Sequence, residues 1–180
     1  MKIAITGSHS TGKTSLGNSI CQAMSSKIDV RFITGLSRNI IQRGFPLNMD
    51  ANIDSYSEYI IAHLSAEKKM NNYDLFISDR TILDALAYSL VNNFYANAQI
   101  SNSFISMMKE IWLVEKERYD FYIYCPIEFP LERDGIRPND EKYRTLVDNK
   151  IQELLLENNV QHVVVHGSLV DRTNQILKLI

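Results

Sequence analysis

Short apolar runs alternate along this chain with longer stretches whose apolar residues recur at helical spacing. The runs Lys2–Thr6, Val30–Thr34, Asp74–Ser78, Asp120–Tyr124 and His162–His166 are rich in β-branched and aromatic residues. None alternates cleanly between apolar and polar, the pattern of strands covered on both faces in a parallel sheet. Helices are predicted over Lys13–Ser25, Leu36–Arg43, Ile53–Asn71, Thr81–Asn93, Ser103–Glu117, Glu141–Glu157 and Val170–Leu179. The order β-α-β-α-α-β-α-α-β-α-β-α predicts one doubly wound α/β domain over residues 1–180. Two polar segments without a period remain, Asn92–Asn102 and Pro130–Asp140. Loops of about ten residues inside a compact domain are often functional, and the second of these is read as a lid.

Composition narrows the class. With 45% hydrophobic residues, seven Gly and four Pro, the chain is globular and not disordered. Its formal charge of −2 gives no support for a general nucleic-acid-binding surface. Cys21 and Cys125 are the only cysteines, read as buried free thiols of a reducing compartment. The chain starts directly on a predicted strand, without a signal-peptide pattern, and no apolar run approaches the ~18 residues of a membrane span. The expectation is a cytoplasmic protein with no membrane partner.

The stretch AITGSHSTGKTSLGNSI, Ala4 to Ile20, carries the strongest chemistry. Gly7 to Thr14 fit G-x-x-x-x-G-K-[ST], the phosphate-binding loop, and lie between a predicted strand and a predicted helix, the context that confirms the motif. Gly7 and Gly12 permit torsions that let successive N–H groups point at phosphate oxygens, and the following helix adds its positive end. Lys13 can reach the β- and γ-phosphates and the Thr14 hydroxyl can ligate Mg²⁺. Ser10, Thr11 and Ser15 are further donors, whereas His9 is read as a loop filler.

Two other groups accompany the loop. Asp79-Arg80 follow the third predicted strand, and ligands of parallel sheets bind outside the carboxyl ends of the strands. An acid there can ligate Mg²⁺ or accept a proton from an attacking hydroxyl; alternatively Ser78 or Asp79 only caps the helix at Thr81. Asp84, one turn on, faces either the crevice or solvent. The segment FPLERDGIRPNDEKYR carries Arg133, Arg137 and Arg144. Arginines in a segment before a helix suit charge neutralisation on a transferring phosphoryl group; the alternative is a solvated charged loop.

Together with TILDALAY after Asp79-Arg80, the DGIR segment and the closing GSLVDR, these motifs resemble the small P-loop nucleoside and nucleotide kinases, most closely the ribosylnicotinamide-kinase-like group related to thymidylate and deoxynucleoside kinases. The resemblance spans nearly the whole chain, and only the phosphate loop is highly specific. It implies a five-stranded sheet in the order 2-3-1-4-5, ATP and Mg²⁺ at Lys13 and Thr14, and Asp79 and Arg80 near the acceptor. Arg137 and Arg133 would belong to a lid at residues 130–140, with the loop Gly167–Asp171 bordering the adenine; a homodimer is left open. In one respect the chain departs from the pattern: the family's acid after the second strand, three residues before an Arg, is replaced by Gly35 in ITGLSRNI, while Arg38 is kept. A hydroxyl acceptor benefits from a base, whereas a monophosphate, with a second pKa near ~6, needs none. The departure tilts the reading toward a nucleotide acceptor held by Arg38.

The expected function is therefore ATP-dependent transfer of a phosphoryl group to a nucleotide, nucleoside or related small acceptor. A kinase acting on a hydroxyl in DNA or RNA, such as a hydroxymethylated base, is an alternative that the weak acidity does not favour. A nucleotide-hydrolysing switch or regulatory ATP-binding module is an alternative of another class. No N-K-x-D tetrapeptide of a GTPase occurs, and no string of acids after a strand marks a motor ATPase. Tyr56, Tyr59, Tyr88 and Phe94 are aromatics that either stack on a base or pack the core.

Overall fold

The computed structural model describes residues 1–132 and 139–180. Five strands, β1 (Lys2–Thr6), β2 (Val30–Ile33), β3 (Leu75–Asp79), β4 (Phe121–Tyr124) and β5 (His162–Val164), form one parallel sheet in the order β2-β3-β1-β4-β5. Seven α-helices flank it: α1 (Lys13–Met24), α2 (Leu36–Gln42), α3 (Ile53–Glu67), α4 (Ile82–Val91), α5 (Asn102–Glu115), α6 (Glu141–Glu157) and α7 (Leu169–Leu177). No helix among the described residues is long and apolar enough to cross a membrane.

The unbroken apolar character of the strands follows from burial on both faces. Ala4 of β1, Phe76 of β3, and Tyr122 and Tyr124 of β4 join a core with helices α3 to α6, through Tyr59, Leu86, Trp112 and Val147 among others. Their neighbours Ile3, Ile5, Leu75, Ile77 and Ile123 point the other way, onto Leu16 and Ile20 of α1 and Ile176 of α7. Successive strand residues thus feed two cores, as a pleat of period two requires.

Helix starts are set by side chains that satisfy free N–H groups. Asn52 with Ser55, Thr81 with Asp84, and Ser168 with Asp171 form capping boxes at α3, α4 and α7. Most element boundaries shift by one or two residues from the sequence expectation, and three differences have a structural context. The predicted helix over Ile53–Asn71 stops at Glu67, and a 3₁₀ turn over Met70–Asn72 buries Met70. The polar Asn92–Asn102 segment begins as a turn of π-helix, Asn92–Ala96, because buried Asn92 holds Asn48 O, Tyr56 Oη and Tyr143 Oη together. The edge strand β5 ends at Val164; two residues on, the His166 ring is held 2.5 Å from Glu128.

Candidate active site

The phosphate loop leaves the sheet at its middle strand. Arg80 N donates to Ile5 O and Cys125 N to Thr6 O, so β3 and β4 run beside β1 to the point where the loop begins. Gly7 has a φ of 142°, and a Cβ there would lie 2.4 Å from the Cys125 carbonyl oxygen. Only glycine lets the chain turn out of β1 against β4 in this way.

The loop carbonyls from Gly7 to Thr11 are each held by a side chain. Arg80 Nη1 donates to Gly7 O at 3.3 Å, and Lys13 Nζ and Thr11 Oγ1 both donate to Ser8 O. Arg144 donates from Nε to His9 O at 3.0 Å and from Nη2 to Ser10 O at 2.9 Å, and Arg172 Nη1 donates to Thr11 O at 2.8 Å. Five consecutive carbonyls held in this way fix the loop backbone in one shape, as an anion-binding nest needs; the Ser8 amide donates instead to Asp148 Oδ1 at 3.5 Å. The thermodynamic weight rests on Arg144 and Arg172, whose side chains are almost fully buried.

Arg144 is therefore not a lid arginine. Its guanidinium also donates to Phe129 O at 2.9 Å, so its donors are committed to the back of the loop and do not reach a transferring phosphoryl group. Arg172, which sequence reasoning did not single out beyond the GSLVDR segment, has the same role; Glu128 accepts from its Nη2 at 2.8 Å and the Phe129 ring lies 4.5 Å from its Cζ. The GSLVDR segment is thereby tied to the outer side of the loop. Arg144→Met should remove a donor from three carbonyls, that of His9 buried and those of Ser10 and Phe129 part-buried. At about 1–3 kcal/mol for an unsatisfied buried group, and with partial relaxation, the expected loss is about 3 kcal/mol. For a chain of this size that is roughly a 6–12 °C fall in Tm, with weaker ATP binding; thermal melts and nucleotide titration of the variant check both.

The remaining predicted residues gather on the inner side. Thr14 Oγ1 donates to Asp79 Oδ2 at 2.5 Å, and Thr34 Oγ1 donates to the same oxygen at 3.2 Å. A hydroxyl and a carboxylate meeting at one point are hard oxygen donors of the kind Mg²⁺ takes. Lys13 is buried at the loop centre, and burial, with Arg80 beside it, brings its pKa down to about 7. Thr11 is fully buried, its hydroxyl accepting from Lys13 Nζ at 3.1 Å as well as donating to Ser8 O, so it acts within the loop rather than as an outward donor. Ser10 Oγ accepts from Glu132 N at 3.2 Å, while Ser15 is exposed at the crevice.

Asp79 does not cap α4; Thr81 does, with Asp84 accepting from Thr81 N at 3.0 Å. Asp84 is 1% exposed and its other oxygen accepts from Arg80 Nη1 at 3.1 Å. It is neither a solvated acid nor a free ligand, and acts by aiming Arg80. Burial pushes its carboxyl pKa up, against the pull of Arg80 and Lys13. Arg80 itself takes a left-handed backbone, φ 76°, and lies over the Tyr88 ring at 5.2 Å. His9, read as a loop filler, packs between Tyr88 and Tyr143, its Nδ1 3.1 Å from Tyr88 Oη.

These residues border a crevice of about 550 Å³ whose far wall is Gly35, Arg38, Ile41, Leu47, Tyr56 and Tyr59. Arg38 is exposed there and has no hydrogen-bond or ion-pair partner among the described residues. Of the candidate aromatics, Tyr56, Tyr59 and Tyr88 line the crevice, and Phe94 is 82% exposed and does not. Pro130 and Leu131 also line it. Arg133 and Arg137, and with them most of the expected lid, lie outside the described residues.

A family model described as an AAA domain matches residues 2–172. No curated protein matches the sequence. Among solved structures, NadR in complex with NR superposes with a TM-score of 0.70 at 15% identity, over 93% of this chain and 44% of that one. The chain thus spans less than half of the NadR chain. Deoxyadenosine kinase from M. mycoides, with products dCMP and dCDP bound, gives 0.69 at 15% identity, over 99% of this chain and 98% of that one. Thymidylate kinase from Ehrlichia chaffeensis gives 0.64 at 16%, over 99% and 97%. At these identities the likeness is one of fold, and it is the P-loop kinase fold expected from the motifs.

Proposed function

The chain belongs to the AAA domain family, and from that membership together with the crevice geometry we propose that it is an ATP-dependent phosphotransferase acting on a small nucleotide acceptor. One observation carries this reading: the phosphate loop, the Thr14–Asp79 pair and the uncommitted Arg38 guanidinium face a single tyrosine-lined crevice large enough for a base and its sugar. The fold likeness to a deoxyadenosine kinase and a thymidylate kinase supports it.

In this reading the loop amides between Gly7 and Lys13, apart from that of Ser8, and the start of α1 hold the triphosphate of ATP. Lys13 balances the charge that develops on the γ-phosphoryl oxygens. Mg²⁺, held through Thr14 and Asp79, neutralises β- and γ-phosphate charge when bound. Arg80, aimed by Asp84 and Tyr88, faces the space between donor and acceptor. Arg38 grips the acceptor phosphate, for which a guanidinium offers two parallel donors. Gly35, with no atom within 4 Å of where a Cβ would sit, leaves room beside that phosphate.

Labelled ATP incubated with a panel of nucleosides, nucleotides and oligonucleotides tests the assignment; label is expected on nucleoside monophosphates. The rate should fall below pH 7 with the acceptor's second ionisation, near ~6. Arg38→Ala should raise the acceptor KM about tenfold or more with a smaller change in kcat, as expected for loss of a charged hydrogen bond worth ~1.5–3 kcal/mol. Transfer to nucleosides or to hydroxymethylated bases alone would move the acceptor assignment to a hydroxyl with Asp79 as base. ATP hydrolysis without any labelled product would favour the switch reading.

A further inference from the structure

Behind crevice-lining Tyr59, whose ring stacks on His63, the core holds charges outside the phosphate loop. His63 and Glu67, one turn apart on α3, and Glu115 at the end of α5 are all buried. His63 Nε2 lies 2.6 Å from Glu115 Oε1 and 3.1 Å from Glu67 Oε1. We propose that His63, Glu67 and Glu115 form a structural site for a divalent transition-metal ion of the Zn²⁺ class, joining α3 to α5.

The geometry distinguishes coordination from simple ion pairing. At 2.6 Å an imidazole N–H aimed at a carboxylate would be a short, strong hydrogen bond. Here His63 Nε2 and both oxygens of Glu115 have no hydrogen-bond partner among the described residues, although all are buried. The carboxylate lies to the side of the ring N–H direction. Donor atoms that crowd together without pointing hydrogens at one another are placed as ligands around a shared cation are placed. The three ligand atoms lie within 4.8 Å of one another, a little wider than the ~4.4 Å that two bonds of ~2.2 Å to one ion can span, so the ion would draw the two glutamates together.

The surroundings support the same assignment. Metal-bound carboxylates are themselves held by outer partners, as Glu67 is, whereas His63 Nδ1 is buried without a hydrogen-bond partner among the described residues. Glu67 accepts from Tyr119 Oη and, at its other oxygen, from Arg118 Nη1 at 2.9 Å, while Tyr59 lies parallel to the His63 ring, 6.0 Å away with 5° between the planes. The site is distinct from the crevice. Tyr59 lines the crevice, and Glu67 lies eight residues further along α3, about 12 Å at 1.5 Å per residue. Tyr119 sits just before β4, at the end of the sheet opposite the phosphate loop. One imidazole, two carboxylates and no thiolate suit Zn²⁺ or Co²⁺, and leave Mg²⁺, which keeps its waters, poorly served in a dry interior.

The test uses the full chain, purified from cells supplied with Co²⁺ or Zn²⁺ and passed through gel filtration in EDTA. About one ion per chain should be retained, Co²⁺ should give visible d–d absorption, and the loaded protein should melt higher than protein made under metal starvation. Glu115→Gln should lose the ion and the absorption with its far-UV circular dichroism kept, whereas Asp79→Asn, at the crevice, should keep the ion. X-ray absorption on the Zn²⁺-loaded wild type, which needs no variant, should show a shell of nitrogen and oxygen with one imidazole. Wild-type protein without retained metal, a shell containing sulfur, or equal retention by folded Glu115→Gln would overturn the proposal. The cluster would then be a proton-bound one, the two carboxylates holding His63 protonated to about pH 9.

Discussion

Lys13→Ala should lose phosphoryl transfer by about 10²–10³-fold, the usual consequence of removing one preorganised electrostatic donor, while the fold survives. The wild-type geometry explains both halves. Lys13 Nζ donates to Ser8 O and lies 3.1 Å from Thr11 Oγ1 in a buried position, but Thr11 Oγ1 also donates to Ser8 O at 3.0 Å, so that carbonyl keeps a donor in the variant. Burial and Arg80 bring the lysine down to about 7, against ~10.4 in an unfolded chain. Between those values the unfolded chain binds the extra proton, so wild-type stability from this group rises with pH through the window and is lowest below pH 7. Alanine lacks this term. The variant's advantage over wild type in urea melts should therefore be largest below pH 7 and shrink steadily as the pH rises toward ~10.4. The same shift predicts that ATP draws a proton onto Lys13 above pH 7, because the polyphosphate restores the charged form. Calorimetry of nucleotide binding in buffers of different ionisation enthalpy should show net proton uptake at pH 8 in wild type and none in Lys13→Ala. A folded variant with near-wild-type turnover would remove the loop from catalysis.

What could be read from the sequence follows from how local each cause is. The strands announce themselves because both faces are covered, so Ile3, Ala4 and Ile5 are all apolar even though they feed opposite cores. The phosphate loop is legible because its constraint lies in the backbone: Gly7 must pass the Cys125 carbonyl, and only its residue type records that. Long polar side chains are different, since a guanidinium reaches wherever the tertiary fold sends it. Arg144 reads as a lid arginine from its neighbours, yet its helix turns it inward onto the carbonyls of His9 and Ser10. Arg172 crosses from α7 to Thr11 O over a sequence distance that no periodicity can register. Asp84 reads from the sequence as either a crevice or a solvent acid; it lines the crevice, but the capping box with Thr81 that buries it is not legible in the sequence. His63, Glu67 and Glu115 look like ordinary helix-surface residues; their burial depends on α3 and α5 meeting over β4. Function-bearing polar residues with a local cause were therefore visible, and those that support them from a distance were not.

Asp79→Asn is expected to separate the two acceptor chemistries. Its Oδ2 accepts from Thr14 Oγ1 and Thr34 Oγ1, and an asparagine oxygen can accept from the same hydroxyls. Because Thr81 and Asp84 cap α4 without it, the change in Tm should be within about 1–2 °C, as for substitutions away from packing and caps. Turnover should nevertheless fall about 100-fold, because the substitution removes the one negative charge beside Thr14 that can hold Mg²⁺ there. If the acceptor is a nucleoside monophosphate, the lost function is cation retention alone, and high Mg²⁺ should restore a large part of kcat with the pH profile unchanged. If the acceptor is a hydroxyl, Asp79 also takes up the departing proton, a role generally worth ~10²–10⁴ in rate. Saturating Mg²⁺ would then recover little, and the acidic limb of the wild-type pH–rate profile would vanish in the variant. Steady-state rates at several Mg²⁺ concentrations and pH values decide between these outcomes, and the nucleotide reading requires the first. Undiminished turnover at low Mg²⁺ would instead leave Asp79 as no more than an anchor for two threonine hydroxyls.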